Sequence, residues 1–163
     1  MAVHSAGLLV FRRTTAQDPI EVLVVHPGGP FWASKDAAAW SIPKGEYAEG
    51  EDALATAERE FVEELGIAAP VGERLYLGEL AQSRAKRVTV WAVEAVDGAG
   101  LGAPGSTVEP VSDTFQMEWP PRSGRTQEFP EVDRAEWFSL DLARSKLHTG
   151  QVPFLDRLLA VLV

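Results

Sequence analysis

Residues 45–67 read GEYAEGEDALATAEREFVEELGI, and the spacing of the charged and apolar residues in this stretch decides the fold around it. At 3.6 residues per turn, Glu60, Glu63 and Glu64 fall within an arc of about 100°. Leu54, Ala57, Phe61 and Leu65 form a neighbouring stripe at i, i+3, i+7 and i+11. The pattern predicts a helix from near Glu51 to Leu65, stopped by Gly66. One side would bury itself against a core, and the other would hold three carboxylates at close quarters.

Carboxylates so placed repel one another unless a cation sits among them. Hard divalent cations bound through oxygen are the usual solution, and Mg²⁺ shares its shell among carboxylates, waters and substrate phosphates. A solvated acidic helix face would account for the glutamates one at a time, since Glu is a good helix former. It does not account for Arg59 and two glycines at fixed offsets from them. The stretch reads Gly45-x5-Glu51-x7-Arg59-Glu60-Phe61-x-Glu63-Glu64-x-Gly66-Ile67. Nine such positions coincide by chance about once in 10⁸ starting points with ordinary residue usage, which favours the metal site.

The rest of the composition bounds the setting. A chain of 163 residues, 45% apolar, suits one compact domain with a real core. It has no cysteine, so disulfides and thiolate metal sites are excluded and a reducing cytoplasm is the simplest home. No apolar run has the length of a membrane span, and Met1-Ala2-Val3-His4 lacks a basic leader, so no membrane partner is expected. The net charge of −9 argues against binding a nucleic-acid polymer. It leaves room for small anionic substrates, because a bound metal inverts the local sign.

Outward from the motif, Val3–Arg12 reads as an opening strand and Glu21–His26 as its partner across a polar turn from Thr14 to Pro19. Pro27-Gly28-Gly29-Pro30 breaks the chain, and Trp40–Pro43 reads as a short extended lead-in to the motif. Arg74–Gln82 and Arg87–Val96 read as two antiparallel strands. Residues 97–113, rich in Gly, Pro, Ala and Ser, read as a mobile insertion. Phe115–Trp119 and Ala135–Phe138 are further short strands around a stiff basic loop, Pro120–Arg125. Ser139 reads as the N-cap of a helix to Leu147, and Gly150 separates it from a last helix with Phe154, Leu155, Leu158, Leu159 and Leu162 on one face. The class is therefore mixed α/β.

The 45–67 stretch meets every defined position of the Nudix box, GX5EX7REUXEEXGU with U a bulky apolar residue, and the chain resembles the Nudix hydrolase family. The resemblance implies a single α/β/α sandwich with a mixed sheet over residues 1–163, and hydrolysis of a phosphoanhydride in a nucleoside diphosphate linked to another moiety. It implies Mg²⁺ or Mn²⁺ as cofactor, a nucleotide or polyphosphate substrate, and a monomer or homodimer. Glu60, Glu63 and Glu64 would be metal ligands or their close supports, and Lys44 would offer its backbone carbonyl. Arg59 would orient a carboxylate, Glu51 would hold Arg59 or the loop, and Gly45 and Gly66 would shape the motif. The general base stays open between a helix glutamate, such as Glu60 or Glu63, and an outside residue. Glu118, Glu128 and Glu131 are the outside candidates, with Glu131 best placed before Glu136-Trp137.

Cations for the phosphates would come from Lys35, Lys44, Arg84, Lys86, Arg122 and Arg125. Among the aromatic residues, Trp32 is the best candidate to stack a nucleobase, with Phe31, Trp40 and Trp119 behind it; Trp91 and Trp137 read as core. His4, His26 and His148 show no ligand spacing. The lead-in Trp40-x-x-Pro43-Lys44-Gly45-Glu46 resembles family members acting on dinucleoside polyphosphates or inositol pyrophosphates. The alternatives are an ADP-ribose or nucleotide-sugar pyrophosphatase and a non-catalytic nucleotide sensor. Intact box glutamates speak against the sensor.

Overall fold

A computed structural model describes residues 2–13, 15, 17–96 and 100–163. Thr14, in the expected turn, and residues 97–99, at the start of the expected insertion, lie outside the described residues. The strands are β1 (Val3–Arg12), β2 (Glu21–Pro27), β3 (Lys44–Glu46), β4 (Leu75–Ser83), β5 (Lys86–Glu94), β6 (Thr114–Glu118), β7 (Thr126–Pro130) and β8 (Val132–Ser139). The helices are α1 (Ala53–Leu65), α2 (Leu140–Lys146) and α3 (Pro153–Val161), with a 3₁₀ turn at Thr149–Gln151 between the last two. The main sheet runs β4-β5-β1-β2-β8 with β3 paired to β1, and β6-β7 is a separate hairpin. β1 and β5 are parallel while the other pairs are antiparallel, so the sheet is mixed.

Side-chain alternation along the strands divides the core into two layers. On β1 and β2, Ala6, Leu8, Val10, Leu23 and Val25 meet Ala57, Phe61 and Leu65 of α1. Leu9, Phe11, Val22 and Val24 face the other way, against Ala143, Leu147, Phe154, Leu155 and Leu158 of the C-terminal helices and their junction. Strands buried on both faces read as continuous apolar runs, which is why Leu8–Phe11 shows no polar alternation. The α/β/α sandwich expected from the sequence is the fold.

One detail of topology positions the site. β2 pairs with β1 only over residues 10–12 of β1, and β3 takes the same edge at Ser5–Gly7. The strand ahead of α1 is therefore Lys44–Glu46 rather than Trp40–Pro43, whose residues make only isolated bridges to Val25 and Leu147. α1 begins at Ala53, two residues later than expected, because Asp52 caps it by accepting from the Ala55 N–H at 3.2 Å. Gly66 ends it at φ 72°, the left-handed cap, with its N–H on Val62 O. Ser139 caps α2 as expected. In α3, Phe154, Leu155 and Leu158 are buried, whereas Leu159 is exposed.

β7 was not expected. Its residues are exposed at Thr126, Gln127 and Glu128 and it closes on a proline, so no apolar alternation marks it. The described part of the stretch expected to be a mobile insertion, residues 100–113, contacts the rest of the fold at several points. Arg12 binds its first part, Val108 bridges to Ala135, and the Val111 N–H reaches Leu65 O at 3.2 Å. Among the described residues no helix is long and apolar enough to cross a membrane.

Candidate metal and nucleotide site

The box helix lies over β3, and the contact needs Gly45. A Cβ there would overlap the Glu60 carboxyl, so a larger residue would displace the Glu60 side chain from its place over the strand. In the β1–β3 ladder, Leu8 N–H bonds Pro43 O and Tyr47 N–H bonds His4 O. By antiparallel alternation the main-chain groups of Lys44 then point away from β1. The Lys44 main chain faces Glu64 and favours its charged form, and the Lys44 carbonyl opens on the same side as its N–H.

Glu64 carries the sharpest signal in the molecule. Its Oε2 is shut off from solvent and has no hydrogen-bond partner. Burial pushes the Glu64 carboxyl up to about 8; Glu60 adds to the rise and Lys44 opposes it. Burial also raises Glu60 above its ordinary value, opposed by its hydrogen bond from Arg59 and reinforced by Glu63 and Asp113. Lys44 is lowered by burial, with Glu64 pulling the other way. Burial and like charge both oppose ionisation of Glu60 and Glu64.

Arg59 threads between the remaining carboxylates. Its guanidinium lies 3.3 Å from Glu60, 3.5 Å from Glu63 and 4.0 Å from Glu51. Glu51 also accepts from the Ala48 N–H at 2.8 Å, so it ties the loop ahead of α1. With Arg59 so placed, no three acidic or imidazole groups among the described residues converge into a ready cage. The donor set nevertheless suits a hard cation: every available atom is a carboxylate or carbonyl oxygen, and one is an orphaned buried oxygen.

Of the three outside glutamates, the structure brings Glu131 to the box. Burial raises its carboxyl, and Asp113, Glu60 and Glu63 add to the rise. Glu118 instead accepts from the Arg122 N–H at 2.7 Å in the hairpin tip, and Glu128 sits exposed on β7. Asp113 is the acidic neighbour that sequence reasoning missed. Its N–H donates to Glu63 O at 3.0 Å and its carbonyl accepts from the Glu131 N–H at 2.9 Å. It lay in a segment with no periodicity, and no local signal marks it.

Beside Glu131 opens a cleft of about 360 Å³, between the β2–β3 loop and the β6–β7 hairpin. Pro30, Phe31 and Trp32 line one wall, and Phe115 and Met117 the other. Lys35 stands 5.0 Å from the Trp32 ring, and Phe31 meets Trp119 edge-on at 5.9 Å. Arg122 and Arg125 are exposed at the hairpin tip. The sequence candidates thus separate into two groups. Lys35, Trp32, Arg122 and Arg125 belong to the cleft side, while Arg84 and Lys86 lie at the β4–β5 turn, where Lys86 acts on Lys44. Trp40 stacks no base: it is fully buried, edge-on to Phe138, with its indole N–H on Asp36. His26, without an expected role, is buried with ring nitrogens 2.7 Å from Asp133 and 2.6 Å from the Lys35 carbonyl, so it ties the cleft loop to β8. A larger cavity of about 560 Å³, lined by Ile67–Val71 and Leu101, holds none of the box carboxylates.

The NUDIX domain pattern matches residues 3–158. The chain belongs to the Nudix hydrolase family. The asymmetrical bis(5′-nucleosyl)-tetraphosphatase of Rattus norvegicus is 35% identical over 106 residues, which span 60% of this chain and 68% of that protein. An Ap4A hydrolase of C. elegans, solved as a binary complex, superposes with TM-score 0.61 over 99% of this chain and 98% of its own, at 22% identity. The NUDIX domain of Shewanella oneidensis NrtR, solved with ADP ribose, gives 0.59 over 100% of this chain and 90% of its own, at 15% identity. At such identities the two structures speak for the fold. The Nudix chain is a pyrophosphohydrolase of its family, whose members typically use divalent metal ions.

Proposed function

We propose that this Nudix hydrolase cleaves a phosphoanhydride in a nucleoside diphosphate linked to another moiety, with Mg²⁺ or Mn²⁺ as cofactor. Nucleoside triphosphates and dinucleoside polyphosphates are the favoured substrate class. The observation that carries the metal-dependent reading is the buried, unpartnered oxygen of Glu64 beside Glu60, both raised chiefly by burial. For the substrate, the support is the similarity to the rat tetraphosphatase.

Glu60, Glu63, Glu64 and the Lys44 carbonyl would hold the ion. When bound, it supplies charge neutralisation for the phosphate oxygens and polarises the bond to be broken. The chain's own residues do the rest. Arg59 would shift from its carboxylates as positive charge arrives and remain as their orienting partner, with Glu51 keeping the loop ahead of α1 in register. In the reaction a water oxygen bonds to phosphorus as the bridging P–O bond breaks, and a carboxylate takes the water's proton. A helix glutamate or Glu131 would be that base. The raised Glu131 carboxyl suits it, because a base nearer to neutral holds a proton more firmly. Trp32 would stack a nucleobase in the cleft, with Lys35, Arg122 and Arg125 meeting phosphates on that side and Lys44, Lys86 and Arg84 on the other.

A panel of nucleoside triphosphates, dinucleoside polyphosphates, ADP-ribose and nucleotide sugars, each with Mg²⁺ and with Mn²⁺, tests this proposal. Glu64→Gln runs in parallel. Rapid turnover of a triphosphate or dinucleoside polyphosphate, lost in the variant, is the expected result. Preference for ADP-ribose or a nucleotide sugar would overturn the substrate class. Metal binding without turnover of any member would replace catalysis by nucleotide sensing.

A further inference from the structure

His26 lies near the end of β2, on the face turned to the C-terminal helices, and is 1% exposed. Its Nδ1 is 2.7 Å from Asp133 Oδ1 and its Nε2 is 2.6 Å from the Lys35 carbonyl oxygen. Both partners are acceptors: a carbonyl has no hydrogen to give, and neither does an ionised carboxylate. The Asp133 side chain is 33% exposed, so water supports its charge. A neutral imidazole carries a single N–H and would press a lone pair against one of these oxygens. Satisfying both takes two ring hydrogens, which the imidazolium has.

The backbone is shaped for this contact. Along β2 and β8, His26 stands opposite Arg134 and Pro27 opposite Val132, which leaves Asp133 as the extra residue of a bulge. Bulges re-aim side chains, and this one turns the Asp133 carboxylate onto the His26 ring. The other charged groups around the ring are engaged elsewhere. Arg134 lays its guanidinium 4.8 Å over Trp40, which itself meets the His26 ring edge-on at 5.2 Å, and pairs with Glu136 at 3.5 Å. Asp36 accepts from the Trp40 indole and pairs with Lys146 of α2, and the Lys35 ammonium sits over Trp32.

The two partners of the ring lead to two parts of the cleft lining, Trp32 and Glu131. The Lys35 N–H donates to the Trp32 carbonyl at 2.9 Å. Asp133 follows Glu131 by two residues, and the Glu131 carbonyl accepts from the Gly28 N–H at 2.9 Å. We propose that His26 is a positioning residue for the nucleotide, an imidazolium clamp joining the Trp32–Lys35 loop to the β8 turn beside Glu131, an assignment that rests on the reading of that cleft as the nucleobase site. Loss of one ring proton breaks the weaker of the two bonds. A carboxylate holds the remaining hydrogen more firmly than a neutral carbonyl does, so the Lys35 carbonyl is released and Trp32 loosens with it. The clamp touches neither the box glutamates nor the reacting phosphorus, so it acts on binding and not on the chemical step.

Ring-nitrogen NMR spectra of the full chain, without nucleotide or metal, test the clamp, with His26 assigned by elimination from His4→Gln and His148→Gln. Both His26 nitrogens should read as N–H at neutral pH. The Trp32 indole signal, assigned from Trp32→Phe, should move in the same alkaline step in which the ring loses its proton. In Asp133→Asn the amide can donate to Nδ1, so the ring should carry one hydrogen, on Nε2, and the Trp32 signal should stay still through that step. Kinetics then use the member of the substrate panel turned over fastest. The parent KM should rise about fivefold across the ring's step. That rise should be absent from His26→Gln and Asp133→Asn, while kcat follows the same pH course in all three chains. A single ring hydrogen in the parent at neutral pH, a Trp32 signal indifferent to the ring, or a step in kcat in place of KM would each overturn the assignment. A parent that turns over no member of the panel removes the nucleotide reading instead, and the nitrogen and indole signals decide the clamp separately.

Discussion

The two faces of the central sheet bury polar groups in opposite ways. Beneath the C-terminal helices, Gln151 is fully buried and fully satisfied. Its Oε1 accepts from the Ile42 N–H at 2.9 Å, and its Nε2 donates to Ser41 Oγ at 3.0 Å and Gln82 Oε1 at 3.1 Å. Beneath α1, Glu64 leaves one buried oxygen with nothing. A satisfied polar group in a low-dielectric interior stabilises and specifies the packing, whereas an unsatisfied one costs free energy in the unliganded state. The first face is built for the fold alone. The second leaves a buried carboxyl oxygen without a protein partner.

The largest expected effect lies on the unsatisfied side. Glu64→Gln should reduce turnover by about 10²-fold or more, because a ligand is lost rather than an outer support. The same variant should be no less stable without metal. The raised Glu64 carboxyl keeps its proton in the folded state to about pH 8, while the unfolded chain releases it near the ordinary value of 4.5. The metal-free parent should therefore be most stable below pH 4.5 as far as this group is concerned. It should lose stability as pH rises towards 8, with a slope of up to about 1.4 kcal/mol per pH unit. Melting temperatures across that window should fall for the parent and lie flatter for Glu64→Gln. A parallel fall in both would break the contrast.

On the satisfied side, Gln151→Ala should cost about 1–3 kcal/mol by stranding the Ile42 N–H and the two side-chain partners. Denaturant titration checks the loss, and calorimetry should find Mn²⁺ affinity unchanged. A loss of metal affinity would show that the two faces are not separable. The smallest effect concerns the cleft: Trp32→Ala should raise KM by about fivefold with kcat held, since base stacking is worth about 1–3 kcal/mol and is made before and during reaction alike. A fall in kcat at constant KM would place Trp32 nearer the chemistry than the cleft wall.

How much of this was legible in the chain follows the range of the interactions. α1 could be read because its cap, stripe, carboxylates and stop are local, and Asp52, Phe61, Glu64 and Gly66 act within a few residues of one another. The strand pair β4–β5 could be read for the same reason. Asp113 could not, because the bonds that place it join its main chain to the Glu63 carbonyl and the Glu131 N–H, and main-chain groups have no sequence signature. The role of His26 was hidden similarly, since one of its two partners is the Lys35 carbonyl. Trp40 was a stacking candidate in a short extended lead-in, yet the bridges of its neighbourhood to Val25 and Leu147 draw it into the core. Glu131 was found through resemblance, and its approach to the box depends on the Gly28 and Asp113 main-chain bonds that flank it.

The central claim is that the Glu64 carboxyl waits for a cation. Calorimetric titration of Mg²⁺ or Mn²⁺ near pH 7, in two buffers of different ionisation enthalpy, measures both binding and the protons released. A carboxyl raised to about 8 is mostly protonated at that pH, so the parent should release close to one proton per ion bound, and Glu64→Gln should release almost none. Binding with no proton release in the parent, or equal release from both chains, would contradict it.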